Sequence, residues 1–346
     1  MAAIPLIEET SVSASSPLIA NLAGVSAEAQ QQIEVEIQAA GVAPRRLAVY
    51  PASAGFDLVD ELDFLCVRTV EPNIFFNPRF LAPAMPRLEA REVRLAVIRD
   101  GNRDKNRLRL LVPFSIEKPA VPLGVPAMRT WSSPFGPLGT PLVDRDDPVG
   151  VLEDFFSMLG RKHLNLPRVL ILPDLRMDGP VARLIRTAAM GLDLPVVTTS
   201  HSMRPFLDSK LDGDTYLRTS LKSHHFREFR RLKRRLADTG DLVYSVARQP
   251  DEIRNALETF LALEASGWKG RERTAMVIDR YRAAFAREAI NRLAQRDLCR
   301  IHTLSLDGVA IASLIVFVEA GQAYTWKTAY DENHAAFSPG TLLMIE

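Results

Sequence analysis

The sequence predicts an α+β protein built from two domains. Its 346 residues, 47% hydrophobic and 25% charged, suffice for two hydrophobic cores. Helix and strand patterns alternate from about residue 47 to residue 208. From residue 212 a helical stretch leads into three closely spaced strands. We therefore expect a leader over residues 1–45, one domain over 46–211 and another over 212–346.

The leader and the first domain have separate signatures. Residues 1–45 are rich in Ala, Ser, Gln and Glu, which predicts a poorly ordered segment with one short helix at 27–40. In the first domain, Asp178 is expected to cap a helix that runs to Met190. The other predicted elements are a helix at 148–161 and strands at 92–99, 107–116, 168–172 and 195–201.

The second domain has clearer boundaries. Asp251 and Asp279 are placed to cap two helices, and Gly267 ends the first of them. The Asp307-Gly308 pair predicts a hairpin. The remaining predicted elements are a basic helix at 220–238 and strands at 241–248, 298–306, 309–318 and 322–329.

Composition narrows the function classes. The net charge of +1 gives no overall field that would attract a nucleic acid or a membrane. Cys66 and Cys299 lack metal-ligand spacing and fit two reduced thiols in a cytoplasmic protein. No apolar run of about 18 residues and no signal-peptide pattern is present, and no metal site is predicted. The common nucleophile and Walker motifs are also missing from the sequence.

Three stretches carry a family resemblance: EASGWKGR at 264–271, YTWKTAYD at 324–331 and FSPGTLL at 337–343. Together they resemble the CelD/BcsL-type family of bacterial GNAT-like acetyltransferases. That family is associated with cellulose and other exopolysaccharide synthesis and is related to the Fem-type peptidyltransferases. The resemblance implies a tandem GNAT-like acyl-CoA N-acyltransferase fold, with mixed sheets flanked by helices. It also implies a strand–helix–strand closure after residue 346, so the second unit is expected to be incomplete.

The resemblance implies a donor site for acetyl-CoA or another acyl-CoA. The loop with Ser338, Gly340 and Thr341 would cradle the pyrophosphate, and the strand that contains Thr328 would pair with the pantetheine arm. Of the usual Arg/Gln-x-x-Gly-x-Gly/Ala pattern only Gly340 remains clear. The alternative is a plain turn that leads into a helix, since such short patterns occur often by chance.

Three residues are candidates for the chemistry. Glu264 is a candidate base for removing a proton from the acceptor, or else an exposed carboxylate at a helix end. Strand alternation places Lys327 on the face opposite Trp326, where it lines a cleft or lies at the sheet surface. Asp331, with His334 close by, is a second acid–base candidate.

Trp268, Lys269 and Arg271 are the predicted substrate-binding residues. Trp268 offers a flat wall for a sugar or an acyl chain, or it closes the core between helix and sheet. Lys269 and Arg271 suit a phosphate or a carboxylate. Over 221–236, seven Lys and Arg accompany a single Glu. That helix fits CoA or lipid phosphates, RNA, acidic side chains of the other domain, or simply solvent.

Three functions remain open at this level. The first is a GNAT-like acyltransferase that moves acetyl from acetyl-CoA to an amine or hydroxyl of a sugar or cell-envelope acceptor. The second is a Fem-type peptidyltransferase that uses an aminoacyl-tRNA donor. The third is a degenerate GNAT fold that binds without catalysis. The sequence does not indicate the acceptor, the acyl chain or the oligomeric state.

Overall fold

A computed structural model describes residues 3–11, 44–89, 91–101, 106–118 and 124–346. The chain divides into two compact units, Met1–Val196 and Val197–Glu346. Each unit contains one sheet with helices packed against it, which confirms the predicted α+β class. The helix predicted at 27–40 lies outside the described residues.

The first unit is built on a seven-stranded sheet with the order β1-β2-β3-β4-β5-β7, in which β6 also pairs with β4. All pairs are antiparallel except β5 with β7. The strands are β1 Ile7–Ser11, β2 Arg45–Pro51, β3 Arg94–Asp100, β4 Leu108–Glu117, β5 Ala127–Thr130, β6 Leu142–Val143 and β7 Val169–Ile171.

Four helices of this unit are described: α1 Val59–Arg68, α2 Pro78–Leu88, α3 Pro148–Leu159 and α4 Pro180–Gly191. Three of them begin with proline, whose fixed φ suits the first turn and whose missing N–H is not needed there. Apolar residues at helical spacing on α3, such as Leu152 and Phe155, pack against strand residues such as Ile98 and Leu110. This contact forms the main core of the unit.

Three predictions for this unit need correction. Ile7–Ser11, inside the predicted leader, form an edge strand because Ile7 packs against the core. Gly179 is the N-cap of α4, and the distant Glu71 carboxylate accepts from Val181 N at 3.2 Å, so Asp178 is not the cap. Residues 195–201 are exposed and form no strand, because they find no neighbouring strand among the described residues.

The second unit has a four-stranded antiparallel sheet with the order β11-β10-β9-β8. Its strands are β8 Leu242–Ala247, β9 Cys299–Leu306, β10 Val309–Glu319 and β11 Gln322–Tyr330. Its helices are α5 Gly213–Ser220, α6 Ser223–Ala237, α7 Pro250–Ser266, α8 Trp268–Arg271, α9 Arg280–Ala294 and α10 Pro339–Ile345. The predicted strands and the hairpin at Asp307-Gly308 are confirmed.

Helices cover both faces of this sheet. On one face, Leu232 and Leu236 of α6 and Leu342 and Leu343 of α10 form a cluster with residues of β9 and β10. On the other, α7 and α9 contact the same strands. There the Trp326 ring packs 5.0 Å from the Phe317 ring and 6.1 Å from the Phe285 ring.

The helix ends differ in part from prediction. Gly267 ends α7 and Asp279 caps α9, as expected. Asp251 does not cap α7, because Gln249 and Glu252 form a capping box there. The predicted helix at 220–238 is confirmed as α6, which begins only at Ser223 because Leu221 and Lys222 adopt extended backbone, and α5 before it was not predicted.

A bulge in β11 changes the predicted alternation. Ile315 pairs with Lys327 and Val316 pairs with Thr325, which leaves Trp326 as the extra residue. A bulge places two successive residues opposite one and shifts the alternation of faces. Trp326 therefore reaches the α7/α9 face, where Lys327 also lies against Glu264, instead of pointing to the opposite face. The bulge brings a lysine and a tryptophan to the same side of the sheet.

Candidate functional site

A groove of about 420 Å³ lies in the second unit between the end of α7 and the segment that follows β11. One wall comes from α7 and α8, the floor from the end of β11, and the other wall from the start of α10. Seven of the ten predicted site residues line it: Glu264, Trp268, Lys269, Thr328, Ser338, Gly340 and Thr341.

Glu264 is the buried centre of the groove, with 2% of its surface exposed. Its Oε1 accepts from Lys269 Nζ at 3.2 Å and lies 3.5 Å from Lys327 Nζ. Its Oε2 accepts from Met276 N at 2.8 Å. Because both oxygens are engaged, Glu264 is fixed in place and holds two lysines from different elements. It is not the exposed helix-end carboxylate considered above.

The lysines share this one carboxylate. Lys269 Nζ also donates to the Thr328 carbonyl at 2.8 Å, which ties α8 to β11. Burial lowers the pKa of Lys327, the neighbouring Lys269 and Arg282 lower it further, and Glu264 opposes both effects.

The α8 turn is a tightly constrained piece of backbone. A Cβ at Gly270 would overlap the carbonyl oxygen of Ala265, so only glycine fits there. Glu332 accepts from Trp268 N at 2.8 Å and from Arg271 Nη2 at 2.6 Å. The contact with Arg271, followed by the Trp268 N–H, lowers the pKa of Glu332. Arg271 thus lies beside the groove as the partner of Glu332.

The Trp268 side chain remains 47% exposed and lines the groove, so it does not close the core. Lys269 Nζ lies 6.0 Å from its ring centroid. Across the groove, Ser338 adopts a left-handed backbone (φ 52°) just before α10. A Cβ at Gly340 would make ordinary contacts with Thr328 and Tyr330, so the backbone there faces the floor of the groove.

Asp331 follows the floor strand. Its Oδ2 lies 2.9 Å from His334 Nδ1, and its Oδ1 accepts from Asn333 N at 3.0 Å. Asp331 and Lys327 are four residues apart on an extended chain, which separates them by roughly 13 Å. The two cannot act on the same reacting atom.

Sequence reasoning missed two groups that organise the site. Glu332 fixes the α8 turn, and the backbone N–H of Met276 fixes Glu264. Neither has a local signal, because each contact joins positions far apart in the chain. In the described ranges, no group of three His, Cys, Asp or Glu side chains is placed to hold a metal ion. No helix in those ranges is long and apolar enough to cross a membrane.

We compared the chain with protein families, curated proteins and solved structures. Residues 223–346 match the Acetyltransf_6 family, described as an acetyltransferase (GNAT) domain. The crystal structure of FemX is similar with a TM-score of 0.50 at 11% identity, over 83% of this chain and 82% of that one. A tandem GNAT protein from the clavulanic acid biosynthesis pathway, solved without AcCoA, has a TM-score of 0.30 at 16% identity, over 86% and 83%. No curated protein matches the chain.

The predicted mixed α and β architecture is therefore confirmed, and the GNAT-like prediction is confirmed for the second unit, whose residues 223–346 match the GNAT domain. The likeness to FemX bears on the fold alone. The narrower CelD/BcsL-type resemblance stays a prediction.

Proposed function

We propose, from the premise that its second unit is a GNAT domain, that this chain transfers an acyl group from an acyl-CoA to an amine or a hydroxyl. Acetyl-CoA is the proposed donor. The proposed acceptor is a sugar or another component of the cell envelope or an exopolysaccharide, of the kind the CelD/BcsL-type resemblance implies.

One observation carries the proposal. A single groove brings together residues from three separate stretches of sequence that share the family resemblance: Trp268 and Lys269, Thr328, and Gly340 with Thr341. A packing role would not require these stretches to meet around open space. Their convergence on a cleft is typical of a ligand site.

In this proposal the chemistry is direct transfer. The acceptor nitrogen or oxygen attacks the thioester carbonyl carbon, the C–S bond breaks, and the CoA sulfur leaves with a proton. Lys327 in its neutral form takes the acceptor's proton and then, as an ammonium, gives it to the sulfur. The lowered pKa of Lys327 makes its neutral form easier to reach than that of an exposed lysine.

Glu264 then acts in a different way from the one the sequence suggested. Both of its oxygens are engaged by Lys269, Lys327 and the Met276 N–H, so it reaches an acceptor only through a lysine. We assign it the positioning of Lys327. Asp331, which follows the floor strand and is paired with His334, is the alternative base.

Donor binding is the direct test. Calorimetric titration of the chain with acetyl-CoA should give a saturable isotherm, and donor at 100 times Kd should raise the unfolding free energy by about 2.7 kcal/mol. Gly340→Asp places a carboxylate against the floor of the groove and should weaken binding at least about ten-fold.

Gly213→Asp is the matched control. It adds the same charge at an exposed position that is not part of the groove and has no atom near its Cβ. Its affinity for acetyl-CoA should equal that of the parent chain. An absence of binding at millimolar donor, or equal losses in both variants, would overturn the proposed donor site.

A second candidate is transfer from an RNA-linked aminoacyl donor, as in the Fem-type proteins. The observation in its favour is α6, whose arginines are mostly exposed. Arg235 lies 5.7 Å over the Phe337 ring, next to Ser338 at the groove. Two ion pairs of α6 lie within the part of the chain that the structure describes: Arg231 pairs with Glu228, and Lys233 pairs with Glu346.

This candidate predicts tRNA binding that weakens steeply with salt. Arg230 and Arg234 changed together to Gln should flatten the salt dependence. Acetyl-CoA binding without any tRNA binding would reject it. Binding of either donor without turnover of any acceptor would favour a non-catalytic module.

A further inference from the structure

Helix α6 and the residues before it concentrate positive charge in one part of the second unit. Over residues 201–237, ten Lys and Arg accompany four Asp and Glu. The whole chain has a net charge of +1, so the rest of the sequence is net acidic. Charge that is concentrated in this way produces a local field, although the overall composition predicts none.

Three arginines form one exposed row on α6. Arg227, Arg230 and Arg234 are spaced three and four residues apart, which places them on the same side of a helix. All three are exposed. Leu232 and Leu236 lie on the other side of α6 and are buried in the core of the unit. The row therefore points away from the sheet, and α6 is held in place by its apolar side.

Acidic side chains balance only part of the charge on α6. In the ranges that the structure describes, Glu228 pairs with Arg231, and Lys233 pairs with Glu346. In the same ranges, the three arginines of the row form no ion pair with a carboxylate. Like charges at this spacing repel each other on a helix, so an anion that contacts the row would be favoured.

The aromatic side chains of α6 do not suit a nucleic acid. Proteins that bind single-stranded nucleic acids present exposed aromatic rings on which bases stack. Phe229 instead packs against the core. Arg218 of α5 and Arg230 lie over the partly buried Phe226 ring, at 5.5 and 6.0 Å from its centroid. Both rings are thus already in contact with other side chains, and a nucleic acid would bind through the arginines alone.

The exposed apolar side chains that precede α6 are aliphatic. Met203, Leu207 and Leu211 are each at least half exposed and belong to the same unit. Leu211 lies directly before Asp212, the N-cap of α5, and α5 contacts α6 at the Phe226 ring. Aliphatic side chains close to a basic helix suit a membrane surface, where cations bind anionic headgroups and apolar side chains contact the acyl region.

We propose that the second unit docks onto an anionic lipid surface through the row of Arg227, Arg230 and Arg234, with the aliphatic side chains of residues 203–211 against the lipid. Charge complementarity assigns the row to anionic headgroups, and the aliphatic side chains favour a lipid over a nucleic acid. Because the apolar side of α6 stays in the core, α6 lies along the membrane surface. This inference goes beyond the proposed acyl transfer and does not depend on it.

Vesicle sedimentation at fixed ionic strength tests the proposal. The probes are vesicles of phosphatidylcholine alone and vesicles of phosphatidylcholine mixed equally with phosphatidylglycerol. The chain should bind the mixed vesicles at least about ten-fold more tightly than the neutral ones. This preference should shrink as salt is added, because salt screens exposed charges.

The row variant combines Arg227→Gln, Arg230→Gln and Arg234→Gln, and its affinity for mixed vesicles should fall at least about ten-fold. The matched control removes the same net charge at exposed positions outside α5 and α6: Arg254→Gln, Arg273→Gln and Arg280→Gln. The control should bind like the parent chain. Changing the three arginines of the row to Lys should preserve binding, because a lipid surface binds through charge and does not require the planar fork of arginine.

Leu207→Ser with Leu211→Ser tests the aliphatic part of the contact. Both positions are exposed, so the fold should be kept. This variant should bind mixed vesicles more weakly than the parent chain and keep the same salt dependence, because it loses apolar contact but no charge. An unchanged affinity would remove the aliphatic side chains from the proposed contact.

Equal binding to neutral and mixed vesicles would overturn the inference, and so would equal losses in the row variant and its control. A third probe, tRNA at low salt, tests the competing partner. Binding of tRNA that the row variant loses, in a chain that does not bind mixed vesicles, would overturn the lipid assignment and give the row to a nucleic acid.

Discussion

The two units handle buried carboxylates in opposite ways. In the first unit, the fully buried Asp144 is surrounded by Arg68, Arg107 and Arg109, at distances from 2.8 to 3.5 Å. Those arginines have further acidic partners in Asp100 and Asp146. In the second unit, the buried Glu264 carboxylate contacts two lysines and a backbone N–H.

The two clusters differ in the kind of cation that surrounds each carboxylate. Arginine forms several fixed hydrogen bonds and keeps its charge, which suits a network that only has to hold strands and helices together. Lysine has a compact charge whose pKa responds to burial, which suits proton transfer and ligand binding. The arginine network balances its charges among its own residues, whereas Lys269 and Lys327 share the carboxylate of Glu264, and Lys269 lines the groove.

Removing the carboxylate from the arginine network should give the largest loss of stability. Asp144→Asn leaves three converging guanidinium groups without their buried counter-charge, and we expect the free energy of unfolding to fall by about 3–5 kcal/mol. Urea denaturation of the parent and the variant measures the loss.

Asp146→Asn is the matched control, because Asp146 binds Arg68 and Arg107 but is 53% exposed. It should change stability little, since exposed ion pairs contribute little. Acetyl-CoA affinity should be the same in both variants when they are folded. A similar loss of stability in the two variants would contradict the structural role assigned to the buried position.

Glu264→Gln should cost less stability but should also change the site. Glutamine has one acceptor oxygen in place of two, so it cannot serve both the lysines and the Met276 N–H. We expect a loss of about 1–3 kcal/mol, the cost of a buried donor left without a partner. The affinity for acetyl-CoA should fall as well, because Lys269 and Lys327 lose the carboxylate that holds both of them.

Glu258→Gln tests whether position on α7 alone matters. Glu258 lies on α7, like Glu264, and pairs with Arg287 of α9 at 2.6 and 2.7 Å. Half of the Glu258 side chain is exposed. We expect a loss below about 1 kcal/mol and unchanged donor binding. If Glu264→Gln behaves like this control, the lysine anchor is not needed for the groove.

Much of the second unit could be predicted from local sequence. The hairpin at Asp307-Gly308, the cap at Asp279 and the end of α7 at Gly267 all depend on residues adjacent in the chain. The predictions were wrong where a residue distant in the sequence determines the local structure. Glu71 caps α4 from more than a hundred positions away, and residues 195–201 have strand-like composition but no neighbouring strand in the described sheets.

In the groove, too, features that depend on adjacent residues could be predicted, and features that depend on distant residues could not. Its residues could be recognised one stretch at a time, but their contacts could not. Alternation placed Lys327 and Trp326 on opposite faces, and a single bulge opposite Ile315 and Val316 changed that. Nothing local in the sequence marks the bulge, because it depends on how β11 aligns with β10. The shared carboxylate between the two lysines likewise depends on packing between α7 and β11.

The smallest predicted effect is a pH dependence of stability at Lys327. Because the folded pKa of Lys327 lies below the reference value of 10.5, the unfolded chain holds this proton more tightly. Stability at this site therefore rises as the pH increases from the folded pKa toward 10.5, and the full penalty for the buried charge remains at lower pH. Lys327→Met removes the penalty and the pH dependence together.

We expect Lys327→Met to be more stable than the parent chain near neutral pH, with a difference that narrows as the pH approaches 10.5. Urea denaturation of both chains across this range measures it, and Lys210→Met should follow the parent curve. A constant difference, or one of opposite sign, would contradict the argument. The expected result would show that Lys327 does not serve packing, and the groove beside Glu264 is where we expect its role.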